Sequence, residues 1–343
     1  MSAGLATPDF LIETRGTTAR LDAYVVASAF ADGVAAFALG DGTVRLLRHG
    51  DWRRVDAHDG AALALAADGH GFISGGDDGA FRRIGADGAL STVASFGMKW
   101  VEHVAAFSDP KGKGLLACAV GRTAHLFDGA GAKLKALEHP SSIGGLTFDA
   151  KGKRVCAAHY NGASLWFVAA KTDTPRRLEW KGSHTGIAIS PDGDAVVTTM
   201  QETALHGWRL SDGQHMRMSG YPAKTKSIAF TRNGKWLATS GAESVVLWPF
   251  FGGGPMGKAP MELAGGDGVL CTQVAAHPAQ DMVAAGFSDG LVVLADVGAQ
   301  RILPVAAPGR GSVSALAWDG DGRHLALGTA DGFAAVVDFS RRD

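Results

Sequence analysis

Two stretches of this 343-residue chain have the glycine spacing with which a backbone wraps a phosphate. Gly252-Gly253-Gly254-Pro255-Met256-Gly257-Lys258 satisfies both GxxxxGK and GxGxxG, and Gly112-Lys113-Gly114-Leu115-Leu116-Ala117 mimics a dinucleotide fingerprint. Phosphate binding of that kind needs a preceding parallel strand, a following helix whose N-terminus faces the anion, and Ser or Thr after the lysine for magnesium. Ala259 and Pro260 follow Lys258 instead, in a segment joining two antiparallel strands, and the Gly112 stretch is a turn entering a strand. Neither is read as a nucleotide site, and no cofactor is expected. No GxSxG, HExxH or EF-hand pattern occurs, and the twelve histidines lack metal-ligand spacing, so no metal site is expected. A hydrolytic site assembled from residues distant in sequence would draw first on Glu102, His159 and Glu202.

The elements that would position such groups follow from composition. The 48 glycines are about twice the usual share, with 46% hydrophobic residues and no collagen period, which argues for many tight turns between short strands. Basic and acidic residues nearly cancel, 33 against 34, so no global field draws the chain to nucleic acid or to an anionic membrane, and neither is expected as a partner. From Asp109 to Lys181, however, twelve basic residues face six acidic ones. Lys111, Lys113, Lys133, Lys135, Lys151, Lys153 and Arg154 stand near turns, either as solvated lysines or as a patch for an acidic or phosphate-bearing partner. Cys118, Cys156 and Cys271 are odd in number, unpaired by any CxxC and set in apolar stretches, which reads as buried free thiols. The first ten residues lack a basic segment followed by an apolar one, and no apolar run approaches the ~18 residues of a membrane span. A soluble, cytoplasmic protein is expected, monomeric unless held in a complex.

An internal repeat organises the chain. Asp41-Gly42, Asp78-Gly79, Asn161-Gly162, Asp289-Gly290 and Asp331-Gly332 each separate two apolar runs, as two-residue type I′ hairpin turns would. Degenerate copies stand at Arg122, Glu202 and Glu243, and the eight positions recur at a mean of about 41 residues, the period of four-stranded propeller blades. Within a unit, a first strand such as Ala315-Leu316-Ala317-Trp318 meets a Gly-ended turn, a second apolar strand follows, and a third ends on Trp166, Trp208 or Trp248. A fourth, more polar strand closes each unit.

On these motifs the chain resembles a WD40-repeat β-propeller over nearly its whole length. The family's Gly-His pair survives as His58, His139 and His184, and its Trp-Asp pair as Phe127-Asp128 or as Trp without Asp. The resemblance implies a buried hydrogen-bond chain of His, Ser or Thr, hairpin Asp and Trp in each blade. His139, Asn161 and Trp166 would supply it in the fourth blade, and His184, Thr198, Glu202 and Trp208 in the fifth, with Trp248 matching in the sixth. The expected fold is therefore all-β, one domain over residues 1–343, an eight-bladed ring of four-stranded antiparallel blades, with seven blades as the alternative. Phe10 to Thr14, within residues 9–16, is the only apolar stretch before the first unit and is expected to close the ring by pairing with the last three strands.

The function that the resemblance implies is a noncatalytic protein-interaction scaffold, its partner unidentified. Positions that open a blade or precede a hairpin turn would face that partner: Lys99, Trp100, Glu102, His159, Tyr160, Gln201, Tyr221, Lys224, Lys226 and Arg310. Phe250 and Phe251, beside the glycine cluster in the longest repeat interval, either anchor a partner or fold back between blades. The alternative function is a propeller hydrolase or metal-dependent lactonase with its site at the channel mouth.

Overall fold

The computed structural model describes residues 10–109 and 112–340, and among these lie thirty strands and one five-residue helix. Hairpins build each sheet in chain order. In the first, Val25–Ala31, Val34–Leu39, Thr43–Arg48 and Asp51–Asp56 lie side by side. Every residue of Val34–Leu39 is buried, whereas Asp51–Asp56 buries Val55 alone. A strand packed between two neighbouring sheets has no solvent face, so VAAFAL runs apolar without alternation, while the outer strand can be polar.

The hairpins follow a different rule from the one expected. At Asp41-Gly42 only the glycine has positive φ, and Gly42 N–H donates to Leu39 O at 3.1 Å. Gly79, Gly290 and Gly332 repeat this bond to the residue three positions back. These are type I turns followed by a left-handed glycine, and of the five repeat-spaced hairpin pairs only Asn161-Gly162 has both φ angles positive. Glycine is required at position 42 for a second reason, since a Cβ there would stand 2.0 Å from Gly60 O in the segment opening the next sheet.

Seven hydrogen-bonded sheets make the ring, six of four strands and one of six. Counting each sheet as a blade, the expected eight four-stranded blades are corrected to seven. The fourth and fifth repeat units are fused in the wide blade, through the 14-residue strands Arg154–Phe167 and Arg176–Ile189. The first reverses at Asn161-Gly162 without losing its strand pairing. The second pairs with Arg154–Phe167 from Arg176 to Ser183 and with Ala195–Met200 from His184 to Ile189. Elsewhere irregular residues separate an outer strand from the next inner one, but here strand pairing continues across Gly182, whose φ is +116°, and the two ladders join.

An N-terminal strand does complete the last blade, at a position other than the one expected. Gly16–Arg20 pairs antiparallel with Phe333–Asp338, from Gly16 opposite Val337 to Arg20 opposite Phe333. Of the expected closing strand 9–16, residue 9 lies outside the described residues, and Leu11–Arg15 is a helix. The helix buries Ile12 in a cluster with Val292, Leu294, Val305 and Val337, with Phe10 and Leu11 packed against it, whereas a strand would turn Leu11 away. An outer strand needs little apolar surface, which is why the polar GTTAR takes that place. Ser314 Oγ donates to Val25 O at 2.6 Å and ties the last blade to the first.

Phe37, Phe72, Phe81 and Phe287 are fully buried between blades. All three cysteines are buried and free, and burial pushes the Cys156 and Cys271 thiols up to about 12, which keeps them protonated and unreactive. Among the described residues no helix is long and apolar enough to cross a membrane.

Candidate partner-binding face

The hairpin turns and the segments opening each blade share one face of the ring. Phe96 N–H donates to Gly79 O at 2.9 Å, Val101 N–H to Gly76 O at 3.0 Å, and His139 N–H to Arg122 O at 2.9 Å. These opening loops are thus pinned over a neighbouring hairpin, which fixes the backbone that carries their exposed side chains. Met98 is 96% exposed and Trp100 57%, while Val101, between Trp100 and Glu102, is fully buried. Lys99, Trp100, Glu102, Arg122 and Glu138 line one cleft of about 510 Å³. Tyr160 is 58% exposed, its N–H fixed on Ser141 Oγ at 2.9 Å, and it lines a second cleft of about 680 Å³ with Pro140, Arg177 and Lys181. Gln201 Oε1 accepts from Lys224 Nζ at 2.7 Å on the same face, and Lys226 is exposed beside them.

The opposite face is stitched by basic side chains reaching from one repeat unit to the next. Arg83 pairs with Asp68 at 2.7 Å and donates to Gly129 O, and Arg154 pairs with Asp149 at 2.7 Å and donates to Gly193 O. Lys135 bonds Ala170 O and Asp173, and Arg209 bonds Gly253 O. Lys135 and Arg154 are therefore engaged within the protein; Lys111 lies outside the described residues.

Comparison with known proteins agrees with this geometry. A family model described as the anaphase-promoting complex subunit 4 WD40 domain matches residues 274–342, across the last two blades. The crystal structure of a computationally designed protein, Ika8, is similar with a TM-score of 0.74 at 19% identity, covering 93% of this chain and 97% of that one, a likeness of fold alone. No curated protein matches. The chain is a WD40-like β-propeller.

The hydrogen-bond chain of a WD40-like blade is most complete where the sequence showed only a lone His58. His58 Nδ1–H donates to Asp78 Oδ1 at 2.9 Å, and Nε2 accepts from Ser74 Oγ at 2.8 Å. Burial holds His58 below its usual pKa, against the pull of Asp78. In the fourth unit Trp166 Nε1–H donates to His139 Nε2 at 3.2 Å, but Asn161 instead accepts from Gly182 N–H. In the fifth, His184 Nδ1 meets Thr198 Oγ1 at 2.7 Å, Glu202 accepts from Ser183 N–H, and Trp208 donates to Glu179 O. Those two networks are thus narrower than the resemblance implies. Burial and the neighbouring His159 hold His139 down at about 4, and burial with His215 takes His206 to about 3.

Several expected contact residues of the WD40-like ring are structural. Tyr221 is only 8% exposed, its hydroxyl bonded to Thr239 Oγ1 at 2.6 Å and to Trp248 Nε1 at 2.7 Å. It stands where other blades carry His, a replacement that the aromatic-to-tryptophan spacing could have revealed. His159 is buried, donating from Nδ1 to Tyr160 O and accepting from Ser164 Oγ. Arg310 pairs with Glu13 and lies 5.3 Å over the Phe333 ring, locking the N-terminal helix. Phe250 packs edge-on against Phe230 at 4.9 Å, whereas Phe251, half-exposed, rests on Trp236 under Lys258. Among the described residues no group of three or more His, Cys, Asp or Glu is placed to hold a metal ion. Of the three candidate hydrolytic residues, His159 and Glu202 are held in the bonds just described, and Glu102 lines the Trp100 cleft.

Proposed function

We propose that this single-domain propeller is a noncatalytic cytoplasmic platform that docks a protein partner on the face bearing Trp100 and Tyr160. WD40-like propellers commonly serve as protein-interaction scaffolds, and the family whose model matches is named for a subunit of a complex. The observation that carries the reading is the exposure of Met98 and Trp100 on a loop pinned to a neighbouring hairpin, and of Tyr160 at the reversal of the strand Arg154–Phe167, where Ser141 holds its backbone. Rigid aromatics of that kind bury large area on binding at small entropic cost. Tyr221, being internal, has no part in it.

The test is affinity capture from the native cell with the full chain, comparing wild type, Trp100→Ala/Tyr160→Ala and, as a control, Phe167→Ala, an exposed residue beside Arg154 and Gly193 on the opposite face, by quantitative mass spectrometry. The double variant is expected to lose its main captured protein with an unchanged circular dichroism spectrum, while Phe167→Ala retains it. An unaltered set of captured proteins in the double variant would remove this face from consideration.

A further inference from the structure

The docking face is electrically uneven, and the unevenness specifies the partner's chemistry. The Tyr160 cleft runs beside the outer strand stretch 176–181, where alternation sets Arg177, Glu179 and Lys181 on one exposed side. Arg176, one residue earlier, is spent on Leu210 O, but among the described residues no carboxylate lies within ion-pair distance of Arg177 or Lys181. Pro140 and Tyr160 give the cleft an apolar wall, and His159 beside them is kept neutral by burial, with the Arg177 charge adding to the effect. The next cleft begins on the other side of the same short loop, where Glu138 is occupied by Arg122 at 3.0 Å and by Thr123. Two units further round, the cleft beside Tyr221 has the opposite character: Glu243, Glu262 and Asp267 line it with no cation. An acidic ligand is repelled there and favoured at Arg177 and Lys181.

We propose that the Tyr160 cleft receives an extended acidic segment of the partner protein, with carboxylates four residues apart on Arg177 and Lys181 and an apolar side chain against Tyr160. This rests on the docking reading above. Four residues of strand span about 13 Å, and an extended peptide carries residues four apart on one side at the same spacing. Glu179, midway between the cations, then selects an uncharged or basic residue at the centre of the segment. The pattern is acid, any, non-acid, any, acid.

The test is fluorescence anisotropy on the full chain with a labelled decapeptide bearing two glutamates four positions apart, a lysine midway and β-branched residues between. Binding is expected to weaken at least about tenfold when the glutamates become glutamines, when the central lysine becomes glutamate, or in Arg177→Glu/Lys181→Glu. All these positions are exposed, so the variant's circular dichroism should match wild type. No binding of the decapeptide, binding indifferent to the double variant, or tighter binding of a charge-reversed peptide overturns the proposal. If the peptide fails while Trp100→Ala/Tyr160→Ala still loses captured protein, the docking face stands and only the cleft assignment falls.

Discussion

Trp248 Nε1–H donates to the Tyr221 hydroxyl at 2.7 Å, and that hydroxyl lies 2.6 Å from Thr239 Oγ1, which in turn donates to Val246 O at 3.1 Å. A tyrosine here completes a buried relay that histidine begins in other blades. Burial pushes its phenol up to about 12, so it stays a neutral donor throughout the physiological range. Each polar atom in the chain has a partner, which is the condition under which a buried network stabilises rather than costs.

Tyr221→Phe should therefore be costly although it removes a single oxygen. Trp248 Nε1 would be left buried without an acceptor, at about 1–3 kcal/mol. Thermal unfolding is expected to show a lowered Tm with partner capture intact. An unchanged Tm would mean that a water or a shifted side chain replaces the hydroxyl.

Ring closure depends on two adjacent segments that act differently. Removing residues through 20 deletes the strand paired with Phe333–Asp338 and bares an edge, so size-exclusion chromatography should show aggregation. Ile12→Asp leaves the strand but buries a charge at the helix seat, and should cost stability without exposing the edge. A monomeric, normally melting protein after deletion through residue 20 would show that the last blade does not need this strand.

The repeat period, strand order and apolar second strands were legible because they arise from local patterning that packing does not override. Fusion of the fourth and fifth units was not, because it turns on Gly182 taking a positive φ within a continuous strand where other units insert a loop. The closing strand was misplaced because an outer strand is recognised by pairing rather than by hydrophobicity: FLIE fills a groove as a helix while GTTAR pairs. At the candidate site, Trp100 and Tyr160 were legible as aromatics that open a blade or precede a hairpin turn, but burial of Tyr221 and His159 depends on cross-strand partners, Thr239 and Ser164, that spacing alone does not assign. Likewise the turn lysines and arginines looked alike in sequence, although Arg154 is a staple and Arg177 makes no ion pair among the described residues.

That contrast predicts unequal effects of removing single arginines. Arg154→Ala leaves the buried Asp149 carboxylate without its guanidinium and severs the link to Gly193 O. A loss of about 3–5 kcal/mol is expected, against less than about 1 kcal/mol for Arg122→Ala, whose partner Glu138 is exposed. Urea titration measures both; equal midpoints would show that Arg154 does not join the units.

The wide blade should make the protein acid-sensitive over a defined range. His139 and His206 are buried and neutral, at about 4 and about 3 in the folded state against about 6.5 when unfolded. Because their folded values are depressed, the unfolded chain binds more protons as pH falls below 6.5, so stability declines from there until the folded values are reached. Carboxylates such as Asp78 and Asp149, whose bonding holds them below the usual range, act at lower pH, leaving the interval from 6.5 to 4.5 to the histidines. Each pH unit of full separation costs about 1.4 kcal/mol per histidine. Urea midpoints taken at pH 7.5, 6 and 5 should fall progressively, and His206→Phe should flatten that slope while conserving the stack on Trp180. A midpoint constant across that interval would mean that these imidazoles take up protons in the folded ring as readily as in the unfolded chain.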